Sequence, residues 1–343
     1  MTEIIEWHLK RLLEFIKIRW YFQQGIRKRI YLRITERRHK KINRNKYKTK
    51  KTDKITHNAN YEIYILQRKG PAGLFSLVRH ALGGLHDSKL INAPMYIDFA
   101  TFPTEFSSLS KWMGTYNAWE YFFEQPNSIE NMRDLCARAI YSDLGRTGTN
   151  YPSRGRSLDF VNSKSELEIL KKDFDKLIKF NSLTLEFIEG IKSEIGFDPK
   201  TTCAVVSRGV SYPIGQTGHS LPINTERFLV NLEKFIQSKN FKSILISTHS
   251  QSVRSQIEKA TKGQVLCVPN FRLSLGKLSL GYELAKRLGF QKGRPLAQLD
   301  YLTEIVLAGQ AKFLFGEVTN GSAVAAIMGG SAQEQEFLFE GNY

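Results

Sequence analysis

The sequence predicts an α/β protein, parallel strands with helices packed on them, preceded by a basic amphipathic helix. Three observations lead there. From Thr202 onward short apolar runs alternate with helical spacings: CAVVSR, a helix over 224–238, SILIST, a helix over 250–260, QVLCVP, a helix around 299–308, KFLFGE and the helix SAVAAIMGG. Repeated βα units of this kind build a parallel sheet whose ligand crevice lies at the carboxyl ends of the strands. The same order opens the folded body, where YEIYIL is followed by the glycine-containing turn QRKGPAG and by LFSLVRHALGGL at helical spacing. Finally, the charge sits at one end of the chain.

Residues 1–54 hold 18 Lys and Arg against five acidic residues, so a net charge of +17 over 343 residues leaves only +4 for the remainder. Ile4, Ile5, Leu9, Leu12, Leu13, Ile16 and Trp20 recur at spacings of three and four, with Lys and Arg on the other face. After them 37–54 is almost purely basic and polar, the composition of a linker. Such a helix and linker read as an anchor on an anionic membrane surface. A docking helix for a partner is the second reading, and a nucleic-acid arm is disfavoured because phosphate binding needs no apolar face.

No run of about 18 uncharged apolar residues occurs, so neither a membrane-spanning helix nor a signal peptide is expected. Three cysteines, Cys136, Cys203 and Cys267, form no CxxC pair, which argues against a disulfide framework or structural zinc and for a reducing compartment. The expected location is cytoplasmic, peripheral on the inner face of the cell membrane.

Between the two βα regions lie a short strand PMYIDF at 94–99, the aromatic stretch NAWEYFFEQP at 117–126, and a long helical region over 163–195 that ends at Gly196 and Pro199. The division expected is 1–54 helix and linker, 60–195 an N-terminal lobe, and 200–343 a C-terminal lobe.

Four segments in this order resemble the fucosyltransferase-like glycosyltransferases, a superfamily that includes bacterial polysaccharide-assembly enzymes. GPAGLFSLVRHALGGL resembles the glycine-rich turn that opens the N-terminal lobe, where Gly70 and Gly73 permit close backbone approach. NAWEYFFEQP is similar to an acceptor-side stretch. Trp119, Tyr121 and Phe122 are candidates to stack on sugar faces, and Glu120 and Glu124 to bond hydroxyls; the alternative is that Trp119 starts an amphipathic helix and lies in the core. VVSRGVSYPIGQTGHSLPIN, 205–224, resembles the nucleotide-diphosphate motif. Its Arg208 matches the arginine that neutralises the departing diphosphate, with Ser207, Gly209, Ser211, Tyr212 and His219 around the donor. LAQLDYLTEIVLAGQAKFLFGEVTNGSAVAAIMGG, 296–330, resembles the last βα unit, with Asn320, Gly321 and Ser322 at a phosphate-facing turn, or Ser322 as a helix cap. Thr248 ends the second strand of this half; Asp300 and Glu304 share a helix face and either support the nucleotide pocket or form ordinary helix ion pairs.

The resemblance implies a GT-B-like arrangement of two Rossmann-like lobes, acceptor side first and donor side second. It implies metal-independent transfer of a hexosyl unit, best matched by fucose from GDP-fucose, onto a saccharide or lipid-linked oligosaccharide, with no bound cofactor. The chain departs from the motif at Val206, where many relatives carry His, at Gly209, where some carry a second Arg, and at Ser211, where most carry Asp. The alternative function is therefore a non-catalytic relative that binds a saccharide or a partner.

Overall fold

The computed structural model of the chain describes residues 63–68, 72–101, 104, 106–107, 111–112, 114–127, 139–142, 159–208, 223–248, 250–261, 263–268 and 295–340. The basic segment 1–54 and the site candidates Gly70, Gly209, Ser211, Tyr212 and His219 lie outside the described residues.

Two parallel sheets organise the chain. The first has three strands, β1 (Ile63–Leu66), β2 (Met95–Ile97) and β3 (Ala139–Tyr141), in the order β2-β1-β3. Helix α1 (Leu74–Leu90) makes the crossover from β1 to β2. The second has five strands, β4 (Thr202–Ser207), β5 (Ser243–Thr248), β6 (Gln264–Leu266), β7 (Phe313–Glu317) and β8 (Glu334–Leu338), in the order β6-β5-β4-β7-β8. Counted from β4 this is 3-2-1-4-5, the doubly wound nucleotide-binding order, in which the winding reverses between its first and fourth strands.

The expected strands and helices of the C-terminal half appear within a few residues of their expected bounds. They include α4 (Thr225–Gln237), capped by the Asn224 side chain, and α5 (Gln251–Ala260), capped by Ser250. Helices α6 (Pro295–Gln310) and α7 (Asn320–Gly329) flank β7. Two strands are additional to the reading: β3, three residues long, and β8, whose Glu-Gln-Glu start is half-exposed at the sheet edge.

The long helical region resolves into α2 (Lys164–Leu177) and α3 (Ser182–Glu194). The break is physical. Ile178 leaves the helix in an extended conformation, Phe180 forms a backbone bridge with Phe123, and Asn181 caps α3 by accepting from the Thr184 amide.

Alternation along the strands separates two cores. Ala204, Val206, Leu245 and Leu314 face α6, α7 and the N-terminal half, while Cys203, Val205, Ile246 and Phe315 face α4 and α5. At Gly316 an added Cβ would lie 2.5 Å from the Val206 carbonyl oxygen, so β4 and β7 approach closely where the winding reverses.

Helix α7 is buried from Gly321 to Ile327 and apolar on every side. It packs on α6 of its own half and on α1 and α2 of the other, so one core runs from the first sheet to the second. The Lys171 ammonium of α2 donates to the Met328 carbonyl near its C-terminus at 2.8 Å. No helix among the described residues is long and apolar enough to cross a membrane.

Candidate functional site

The crevice expected from the strand order lies beyond the carboxyl ends of β4 and β7. Arg208 follows the last residue of β4 there and is half-buried. A guanidinium in this position suits an anion held between strand ends.

Ser207 occupies the other face. It shares the side of Cys203 and Val205, is buried, and donates its hydroxyl to Glu317 Oε1 at 2.6 Å. Thr248 is likewise buried, and its hydroxyl oxygen accepts from the Ser250 amide at 3.2 Å. Both hydroxyls are engaged within the protein at the strand ends.

Beyond β7 the chain turns directly into α7. Thr319 is the N-cap: its side chain accepts from the Ser322 amide at 3.1 Å, and the Ser322 hydroxyl bonds back to the Thr319 amide at 2.8 Å. Ser322 is fully buried and also donates to the Glu317 carbonyl at 2.5 Å. Its hydroxyl therefore closes the turn rather than facing a phosphate, and the cap reading is corrected as well: the N-cap is Thr319, with Ser322 the third residue of its capping box. Gly321 is buried where a methyl would strike the Tyr301 hydroxyl. Asn320 stays half-exposed at the first helical position.

Asn320 also reveals a residue the sequence reading missed. Arg79, on α1 of the first half, donates from Nη1 to Asn320 Oδ1 at 2.5 Å, and its guanidinium lies 5.7 Å from the Phe160 ring centroid. Burial, with Arg68 nearby, pushes the Arg79 pKa down to about 10. The first turn of α7 is thus tied to the N-terminal half across 241 residues of sequence. Because the two side chains share one bond, their effects should not add. We expect the melting temperature of Arg79→Ala plus Asn320→Ala to fall no further than that of the worse single variant, measured by calorimetry; strict additivity would refute the coupling.

Glu304 was read with Asp300 as pocket support or as an ordinary helix ion pair. It is buried, on α6, and accepts the Ser247 hydroxyl of β5 at 2.7 Å. Asp300 is fully buried on the same helix. Carboxylates are placed in such surroundings only with hydrogen-bond partners, and they put acceptors on the α6 side of the sheet.

The first sheet has its own polar rim. The Gln67 amide donates to Ser142 Oγ at 2.8 Å and Ser142 Oγ donates to the Gln67 carbonyl at 3.0 Å, closing the gap between β1 and β3. Gln67 Nε2 donates to Asp98 Oδ2 at 2.6 Å, and Asp98 also holds the turn through the Ala100 and Thr101 amides. Gly73, half-exposed, stands at the N-cap of α1.

The acceptor-side aromatics are core. Trp119, Tyr121 and Phe122 are each at most 1% exposed, so none can offer a face to a sugar, a correction to the stacking role. The segment forms turns rather than a helix start. Trp119 packs against Phe99 and Phe123 and donates its indole N–H to the Glu124 carbonyl at 2.9 Å.

Glu120 is used inside the protein. Its Oε1 accepts from Gln125 Nε2 at 2.8 Å, Asn117 Nδ2 at 3.2 Å and the Tyr96 hydroxyl at 3.2 Å, and its Oε2 from the Thr115 hydroxyl at 2.5 Å. Burial first and then the Glu120 charge hold the Tyr96 pKa well above its usual value. Of this group only Glu124 has an exposed side chain. Among the described residues, Arg208, Asn320 and Arg79 are candidates whose positions fit a ligand at the crevice, with Gly73 on the rim of the other sheet and Glu124 exposed beside the aromatic segment.

Neither a protein-family model nor a curated protein matches the chain. Among solved structures it is similar to the Bradyrhizobium fucosyltransferase NodZ, at 14% identity over 78% of this chain and 92% of that one, with a TM-score of 0.45. It is similar to a mutant of Arabidopsis thaliana FUT1 in complex with GDP, at 8% identity over 91% and 79%, with a TM-score of 0.46. POFUT1 in complex with GDP-fucose is similar at 11% identity over 82% and 99%, with a TM-score of 0.38. TM-scores below 0.5 decide nothing about the site.

Proposed function

We propose that the chain is a sugar-nucleotide-dependent glycosyltransferase, with GDP-fucose the first donor to try and a saccharide hydroxyl, free or lipid-linked, as acceptor. The observation that carries the reading is the place of Arg208, just past the end of the central strand of a 3-2-1-4-5 sheet, beside the strand where the winding reverses. The motif around it, 205–224, resembles the diphosphate segment of fucosyltransferase-like enzymes.

In the proposed reaction the acceptor oxygen attacks the anomeric carbon and gives up its proton to water, the bond from that carbon to the phosphate oxygen breaks, and the nucleoside diphosphate leaves with one more negative charge. Arg208 meets that charge, and the Asn320 and Gly321 amides, which the Thr319–Ser322 box does not use, begin the helix end nearest to it. Arg79 holds that end in place. No metal is assigned a role.

The reading is tested by thermal stabilisation of the purified chain against guanosine, uridine, cytidine and thymidine diphosphates and their sugars. At a hundredfold excess over Kd a ligand adds about 2.7 kcal/mol, so a working donor site gives a plain shift with one nucleotide class. A shift with none of them would instead favour the non-catalytic relative, the reading that Ser211 in place of Asp motivates.

Attachment to an anionic membrane surface through 1–54 is proposed on charge and apolar spacing alone. The full chain should sediment with vesicles containing phosphatidylserine but not with purely zwitterionic ones, and a chain starting at residue 55 with neither. Equal sedimentation of the two chains would remove the tail from the account.

A further inference from the structure

We propose that the amino end of the second sheet, opposite the crevice, is a lysine face that lies on an anionic lipid surface. Parallel strands gather their entry turns at one end, and the turns into β4, β5 and β7 carry Lys200, Lys239 with Lys242, and Lys312. Backbone bonds tie these turns side by side: the Lys242 amide donates to the Thr201 carbonyl and the Lys312 amide to the Pro199 carbonyl, each at 2.8 Å. β4 lies between β5 and β7. At about 4.8 Å between strands, Lys242, Lys200 and Lys312 form one row roughly 10 Å across. Thr202 stands opposite Ser243 and Cys203 opposite Phe313, so the three lysines enter the sheet at one level.

Their charges are left over. Lys200, Lys242 and Lys312 are exposed and form no ion pair among the described residues. The carboxylates among them are engaged: Glu334 pairs with Lys239 at 2.7 Å, and Asp198 accepts from the Lys200 amide at 3.0 Å and the Thr201 hydroxyl at 2.8 Å. Those two bonds first, and then the Lys200 and Lys242 charges, hold the Asp198 pKa below its usual value. At the same end Lys234 and Lys259, in the last turns of α4 and α5, balance Glu194 and Glu233.

Three ammonium groups within about one Debye length act together on an anion-rich plane. Lysine meets phosphate as a point charge, without the planar fork that selects one phosphate, so the row suits many headgroups better than a single bound anion. Phe241, half-buried on the turn between Lys239 and Lys242, adds an apolar ring at that level. Stable attachment takes two signals, and this face supplies a second beside the segment 1–54. The face rests on the anionic surface proposed for that segment, and it adds an orientation. β4 is six residues long, so the crevice stands roughly 20 Å from the lipid, open to an acceptor.

Sedimentation of the full chain with phosphatidylcholine vesicles, with and without phosphatidylserine, tests the face. We expect the lipid concentration at half-binding to rise about tenfold or more when Lys200, Lys242 and Lys312 are all changed to Gln. The same three charges removed from the first half, as Lys111→Gln, Lys176→Gln and Lys179→Gln, should shift it less than about threefold. All six side chains are exposed, so both triples should melt with the parent. Equal shifts in the two triples would mean that net charge alone acts, and no shift in the first would leave the tail as sole anchor; either result overturns the lysine face. The tail is judged separately, by the chain starting at residue 55. A parent that sediments with neither vesicle overturns face and tail together. Heparin binding lost in the first triple while lipid binding stays unchanged would overturn the face in favour of a polyanionic chain.

Discussion

Arg208→Ala is expected to lower nucleotide-dependent transfer by about a hundred- to a thousandfold, the loss seen when one preorganised charge-stabilising donor is removed. The reason is electrostatic. The departing diphosphate gains a full negative charge as the glycosidic bond to phosphate breaks, and a guanidinium carried just past the strand end can meet it. The fold should survive, because Arg208 lies outside β4 and is half-buried, whereas the strand itself is covered on both faces. Arg208→Lys should recover only part of the rate, since an ammonium cannot bond two phosphate oxygens in a plane. Single-turnover transfer beside circular dichroism and melting of the same preparation checks this. Turnover of Arg208→Ala within a factor of about three of the parent would sink the assignment of the crevice.

Trp119→Ala is expected to destabilise the protein by about 3–5 kcal/mol, with melting lowered on the order of 10 °C. The indole is 1% exposed, its ring lies 4.5 Å from that of Phe123 and 6.1 Å from that of Phe99, and its N–H closes the turn on the Glu124 carbonyl. Truncation leaves a cavity and an unmet carbonyl together. A sugar-stacking tryptophan would behave in the opposite way, with melting unchanged and acceptor KM raised. Urea denaturation beside acceptor kinetics separates the two outcomes, and an unchanged denaturation midpoint would mean that Trp119 is not core.

The sequence and the fold agree where an element declares itself locally. IYIL, CAVVS, SILIST and FLFGE are β-branched or aromatic runs long enough to be strands in any context, and Asn224 and Ser250 are caps at the positions where helices begin. β8 was not legible, because an edge strand needs only half its side chains to be apolar and EQEFL looks like solvent-facing chain. The site followed the same division. Arg208 could be found by motif and strand end alone.

Aromatics at 119–123 have the same composition whether they stack on sugars or fill a core, and only Phe99, Phe106 and Phe180 arriving from elsewhere decide it. Glu120 likewise looked like a hydroxyl-binding acid until Tyr96, Thr115 and Gln125 were seen to occupy it. Arg79 sits in an ordinary helical pattern, LFSLVRHAL, and its partner lies on the last helix of the chain.

That last helix has a consequence for synthesis. Helix α7 belongs by connection to the second sheet, yet it fills the space beside α1 and α2, and it spans 320–329 of 343 residues. Until residues 320–329 have been made, the apolar surfaces of α1 and α2 that α7 covers stay open, so the N-terminal half cannot finish folding ahead of them, as independent domains do. A chain stopped before residue 320 should therefore be bound by chaperones or aggregate as a whole instead of yielding a folded first half.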